Sequence, residues 1–138
     1  MPIDMSDRED VLAVFDAFDS ALKRKDVDAI VDLFADDPDV ELWGSDMSER
    51  AVGKRAIRAL LEGLFSRLPE SSVARTFEEP RVHVSGDVAW VTAAGTASWE
   101  PDGERRVIAY RVTAVMVRTA DGWRWHTHNG SQPTESET

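Results

Sequence analysis

An α+β fold is predicted by a change of rhythm along a chain of 138 residues. Up to Leu68, apolar residues recur at three- and four-residue spacing, which marks helices that bury one face. From Val73 onwards apolar and polar residues alternate, and turns bearing glycine and aspartate separate the runs, which marks half-buried strands. Helices first and hairpin-linked strands afterwards make an antiparallel sheet with helices packed on one face.

The first helix is expected after Ser6 and Asp7, both N-cap residue types, with acidic side chains where the helix dipole favours them. Val11, Leu12, Val14, Phe15, Phe18, Ala21 and Leu22 form its buried stripe, and it ends near Lys23-Arg24-Lys25. Asp26 caps a second, shorter helix through Val27, Ile30, Val31, Leu33 and Phe34, which Pro38 prevents from continuing. Val40 to Trp43 reads as a short strand, and Gly44 to Gly53 as a polar loop long enough to form a lip over a pocket. Lys54 to Leu68 is the third helix, with Ile57, Leu60, Leu61, Leu64 and Phe65 on one face, stopped by Pro69.

Val73 to Val84 alternates, but Pro80 interrupts it, which predicts an edge position or a bulge. Ser85-Gly86-Asp87 is a hairpin turn, Val88 to Glu100 a long strand, and Pro101-Asp102-Gly103 another turn. Arg106 to Thr119 is the longest strand candidate, and Ala120-Asp121-Gly122 leads into the last. Strands of this length must curl, and Gly95 is the expected bend. Residues 1–133 read as one domain and 134–138 as a disordered polar tail.

Composition excludes several functions. Hydrophobic residues make up 42% and charged residues 30%, as in ordinary globular domains. No run approaches the roughly 18 apolar residues that span a bilayer. The acidic start, Met1 to Asp10, is unlike a signal peptide, so a cytoplasmic protein is expected. Cysteine is absent, which rules out disulfides, thiolate catalysis and zinc–thiolate sites. A net charge of −10 opposes binding to nucleic acid and to anionic membranes. Neither a phosphate-binding glycine loop nor a metal-ligand cluster is present, so no cofactor is expected.

Asp26-Val-Asp-Ala-Ile-Val-Asp-Leu-Phe-Ala-Asp-Asp-Pro-Asp-Val-Glu41, Gly53-Lys-Arg-Ala-Ile-Arg58 and Gly122-Trp-Arg-Trp125 with Asn129-Gly-Ser131 occur in this order of elements. In these pieces the chain resembles the nuclear transport factor 2-like superfamily, and more narrowly its SnoaL-like and ketosteroid-isomerase-like bacterial members, from about Asp10 to Pro133. The resemblance implies a cone-shaped roll (the cystatin-like fold), a strongly bent sheet wrapped on three helices with one pocket at the open end. It also implies a homodimer through the outer sheet face. Aligned on the family, the isomerase general base falls at Leu42, the oxyanion tyrosine at Phe18 and the second acid near Ala114. None of these side chains can play its part, so ketosteroid isomerase chemistry is rejected.

The final strand, Gly122-Trp-Arg-Trp-His-Thr-His-Asn-Gly-Ser-Gln-Pro133, holds two of the five tryptophans and two of the three histidines. Strict alternation from Trp123 puts Trp125, Thr127 and Asn129 on the buried face and His126 and His128 on the outer one. Polar groups on a buried face need partners or line a cavity. SnoaL-like relatives carry a histidine two residues before the serine, where Asn129 stands here; His128 is one residue off, and only a bulge would restore it. Tyr110, the single tyrosine, alternates with Ile108, Val112, Ala114 and Met116 and is the best oxyanion donor. Glu41 is the carboxylate candidate. The catalytic candidates are therefore Tyr110, His128, Asn129 and Glu41, and the pocket candidates are Phe18, Trp43, Phe65, Trp90, Trp125 and Thr127. These residues predict binding of a small, mainly apolar organic molecule in the cone, with isomerase, lyase or hydrolase chemistry open. The alternative is a non-catalytic dimerisation or ligand-sensing module.

Overall fold

The structure, a computed structural model, describes residues 5–68, 73–100 and 102–134. Pro69, Pro101 and the tail from 135 lie outside these residues. Three helices come first: α1 (Met5–Arg24), α2 (Val27–Asp32) and, after two short strands, α3 (Lys54–Ser66). Asp26 caps α2 as its residue type predicts, its Oδ1 accepting from the Ala29 N–H at 3.0 Å. The α1 stripe buries Val11, Phe15, Phe18, Ala21 and Leu22, and α3 buries Ile57, Leu61 and Phe65. Among the described residues no helix is long and apolar enough to cross a membrane.

Seven strands, β1 (Glu41–Trp43), β2 (Arg50–Val52), β3 (Ala74–Phe77), β4 (Arg81–Ser85), β5 (Val88–Trp99), β6 (Arg106–Thr119) and β7 (Gly122–Ser131), form one strongly curled sheet. Its order is β2-β1-β7-β6-β5-β3, and β4 also pairs with β5. The run from Val73 to Val84 is thus two strands on one partner. β4 lies along Val88–Thr92 and β3 along Gly95–Ser98, with the break at Glu78–Pro80 where proline cannot donate to the ladder. Gly95 sits at this change of partner. A Cβ there would lie 1.9 Å from the Thr76 carbonyl oxygen, so only glycine lets the two backbones approach.

Two expectations need correction. The stretch 44–53 is not all loop, because β2 turns back onto β1 and closes it into a hairpin. Nor is the sheet wholly antiparallel: β1 runs parallel to β7, with Leu42 opposite His128. The physical reason is that β1 arrives from the helices, whereas β7 arrives from a hairpin with β6. The Phe34–Trp125 bridge continues the same parallel contact.

A bulge in β7 decides the site. Val115 of β6 pairs with Thr127 and the next residue, Met116, pairs with Trp125. His126 is therefore an extra residue without a partner on β6, and it shifts the strand's alternation by one. Below the bulge Trp125 is fully buried against Phe15, Phe18 and Phe34, with ring centroids 5.6, 5.0 and 6.2 Å away. Its indole N–H donates to the Val14 carbonyl at 3.0 Å, which removes the penalty of burying it.

Candidate active site

Between the helices and the concave face of the sheet lies a cavity of about 380 Å³. Leu22, Leu42, Leu61, Leu64 and Ile108 give it apolar walls. Phe18, Arg75, Tyr110 and His128 also line it, together with Glu49 from the β1–β2 connection.

The bulge brings His128 here. Strict alternation would have turned it outward, but beyond His126 the buried residues are His128 and Gly130, and Asn129 is exposed. The expected face of Thr127 and Asn129 is corrected for the same reason. Thr127 Oγ1 is engaged by His126 Nδ1 at 2.7 Å, and neither residue lines the cavity. His128 stacks on Phe18, with centroids 4.9 Å apart. Its Nδ1 lies 3.1 Å from the Trp43 carbonyl oxygen, which can only accept, so Nδ1 carries the proton. Nε2 then accepts from Arg75 Nη1 at 2.9 Å. Burial, and after it the Arg75 charge, pushes the imidazole pKa down to about 3. His128 is a neutral, hydrogen-bonded floor group.

Arg75 joins three elements. Its Nε donates to Asp19 Oδ1 of α1 at 2.6 Å, and the two side chains are only 5% and 18% exposed. Its guanidinium lies 4.7 Å from the Phe18 ring centre, 5.4 Å from that of Phe77 and 5.7 Å from that of Tyr110. Burial raises the Asp19 pKa in spite of the arginine. Nη2 of Arg75 is buried and has no hydrogen-bond partner among the described residues.

Tyr110 stands on the concave face with Val112, Ala114 and Met116. It reaches across β7 because Gly130 has no side chain; a Cβ there would meet the Tyr110 hydroxyl at 1.9 Å. Burial raises the phenol pKa, the Arg75 charge opposes this and the Glu49 charge adds to it. Glu49 is set by its turn: Oε1 accepts from the Asp46 N–H at 3.1 Å, and its carbonyl accepts from the Gly44 N–H at 2.7 Å. Gly44 leaves room for the carboxyl, since a Cβ there would lie 2.7 Å from Glu49 Oε2. Burial raises the Glu49 pKa.

The remaining expected site residues lie off the cavity. Leu42 is the inward residue of β1, so Glu41 and Trp43 point the other way. There the Trp43 indole N–H donates to Glu41 Oε1 at 3.3 Å, and the Arg50 guanidinium covers the ring. Trp90 is 41% exposed on the outer sheet face and stacks on His83. Phe65 and Trp125 belong to the core rather than to the cavity wall. Asp19, Arg75 and Glu49 were not among the candidates. For Asp19 the signal was present: it lies four residues after Phe15, inside the apolar stripe, where an acid needs a partner. No group of three or more metal-ligating side chains converges among the described residues.

Comparison with known proteins agrees with this architecture. The family model of the SnoaL-like domain matches residues 11–135. No curated protein gives a significant match. Among solved structures, a candidate dehydratase of the nuclear transport factor 2-like family from Streptomyces avermitilis is 21% identical, with 96% of this chain and 100% of that one covered and a TM-score of 0.85. A candidate aromatic ring hydroxylase from Novosphingobium aromaticivorans is 22% identical over 97% and 94% of the two chains, also at 0.85. A nuclear transport factor 2-like protein with a cystatin-like fold from the same organism is 22% identical over 96% and 85%, at 0.82. At these identities the likeness establishes the fold.

Proposed function

The chain belongs to the SnoaL-like domain family, and from that premise we propose that it binds a small, mainly apolar organic molecule in the cavity under the curled sheet. The observation that carries this reading is the cavity itself. At about 380 Å³ it falls within the range of about 300–1,000 Å³ usual for ligand sites, and it combines apolar walls with a few convergent polar groups. Phe18 lines it, while Trp43 and Phe65, which would have filled a collapsed cone, stay outside it. Tyr110 is the orienting donor and His128 a fixed neutral neighbour. The test is titration with a neutral, environment-sensitive apolar dye, N-phenyl-1-naphthylamine, against wild type and Leu64→Trp, whose indole fills the cavity. One dye per chain, lost in the variant, supports the reading; equal binding by both proteins sinks it.

A second reading adds isomerase, lyase or hydrolase chemistry, and Glu49 favours it. A cavity-lining carboxyl with its pKa raised by burial is placed to exchange a proton with a bound molecule. Deuterium uptake from heavy water into added ketones, present with wild type and absent with Glu49→Gln, would support this; no uptake with wild type removes it. Self-association belongs to the outer sheet face, where Val88, Trp90 and Val107 are 41%, 41% and 56% exposed. Light scattering should give the mass of two chains, and a monomer at working concentration refutes the dimer.

A further inference from the structure

The floor of the cavity is polar in a lopsided way. Arg75 spends Nε on Asp19 and Nη1 on His128, and Nη2 is buried with nothing to donate to among the described residues. An unmet buried donor is uncommon and calls for an acceptor. Tyr110 lines the same cavity and has a hydroxyl proton to offer. Burial raises the phenol pKa and the Arg75 charge opposes this, and the guanidinium lies 5.7 Å from the phenol ring centre, so the two groups are neighbours on the cavity floor. Phe18, Phe77 and Tyr110 shield the guanidinium from water, which strengthens any bond made there.

We propose that an acceptor oxygen of the bound molecule sits between the Tyr110 hydroxyl and Arg75 Nη2, so that the ligand class is a neutral carbonyl compound with an apolar body. This rests on the cavity being a ligand site. Because Nη2 is closed to water when the cavity is empty, the oxygen reaches it from the cavity side with a small turn of Tyr110 or Arg75. The oxygen belongs to a neutral group because the charge of Arg75 is already matched by Asp19. Glu49 lines the same space, and the whole chain carries −10, so a carboxylate would add charge where none is left to balance it.

The test uses three probes on one scaffold, naphthalene, 2-acetylnaphthalene and 2-naphthoate, titrated into the full-length protein by NMR. The readout is the ratio of affinities within each protein. Wild type should bind the ketone about tenfold more tightly than the hydrocarbon, the return from one charge-assisted hydrogen bond, and should bind the carboxylate more weakly than the ketone. In Tyr110→Phe, which keeps the ring and leaves Arg75 in place, the ketone-to-hydrocarbon ratio should fall severalfold. The paired change Asp19→Asn with Arg75→Met, which removes both charges together, should bring the ratio close to one. If hydrocarbon and ketone bind wild type equally, the cavity remains a ligand site and the oxygen position is wrong. A ketone preference that survives both variants also overturns that position. Tighter binding of the carboxylate than of the ketone overturns the neutral class, and failure of all three probes to bind refutes the ligand cavity itself.

Discussion

Acid should weaken this fold through His128 in a way that can be calculated. In the folded chain the imidazole stays neutral until pH falls to about 3, whereas its ordinary value is 6.5. Between those values the unfolded chain binds a proton that the folded chain refuses, so stability is complete above 6.5 and is lost as pH falls towards 3. The loss runs at about 1.4 kcal/mol for each pH unit once well below the upper value, which gives about 2 kcal/mol between pH 7.5 and pH 5.0. Asp19 and Glu49 act in the opposite direction, because burial raises their pKa values and the folded chain then takes up protons first as pH falls. The comparison must therefore subtract them. His128→Gln offers an amide to donate to the Trp43 carbonyl and an oxygen to accept from Arg75, but it does not titrate. Denaturant unfolding of both proteins at the two pH values isolates the histidine. The wild type should lose about 2 kcal/mol more than the variant on acidification. Equal losses, or a His128 ring that titrates near 6.5 in NMR spectra of the native protein, would refute the buried neutral imidazole.

Four further outcomes follow from the geometry. Gly130→Ala places a methyl group on the Tyr110 hydroxyl; stability should fall by about 1–3 kcal/mol in denaturant unfolding, and the ketone preference should drop because the phenol is displaced. Gly95→Ala drives a methyl group into the Thr76 carbonyl, which is backbone and cannot swing aside, so β3 should separate from β5 and its amides should exchange faster with heavy water. Deletion of His126 removes the bulge yet restores regular alternation with Trp123, Trp125 and His128 on one face, so the variant should fold and keep His128 shielded from titration. Deletion of Arg124 would turn Trp123 outward and should unfold the protein at room temperature.

Local periodicity determined the element order of this chain, and for physical reasons. The three-and-four spacing of Val11, Phe15, Phe18 and Leu22 only makes sense if a helix buries that stripe, and the alternation through Tyr110, Val112, Ala114 and Met116 only makes sense if a strand buries one face; both sets are buried. Pro80 marked the break because it cannot donate to the ladder, and Gly95 marked the change of partner because only a residue without a Cβ fits against the Thr76 carbonyl. What the sequence did not carry is phase and long-range pairing. His126 became an extra residue only when β7 took its register on β6, and that one slip exchanged the places of His128 and Asn129. The parallel contact of β1 with β7 depended on how the helices deliver the chain, which no window of ten residues contains. Arg75 meets Asp19 across 56 positions and His128 across 53, and Glu49 enters the cavity from a hairpin that reads as polar loop. The place of Asp19 inside the apolar stripe shows that it needs a partner, but at such separations nothing periodic names which residue that partner is. The sequence therefore determined which faces are buried, and tertiary packing alone decided which polar groups share the space inside.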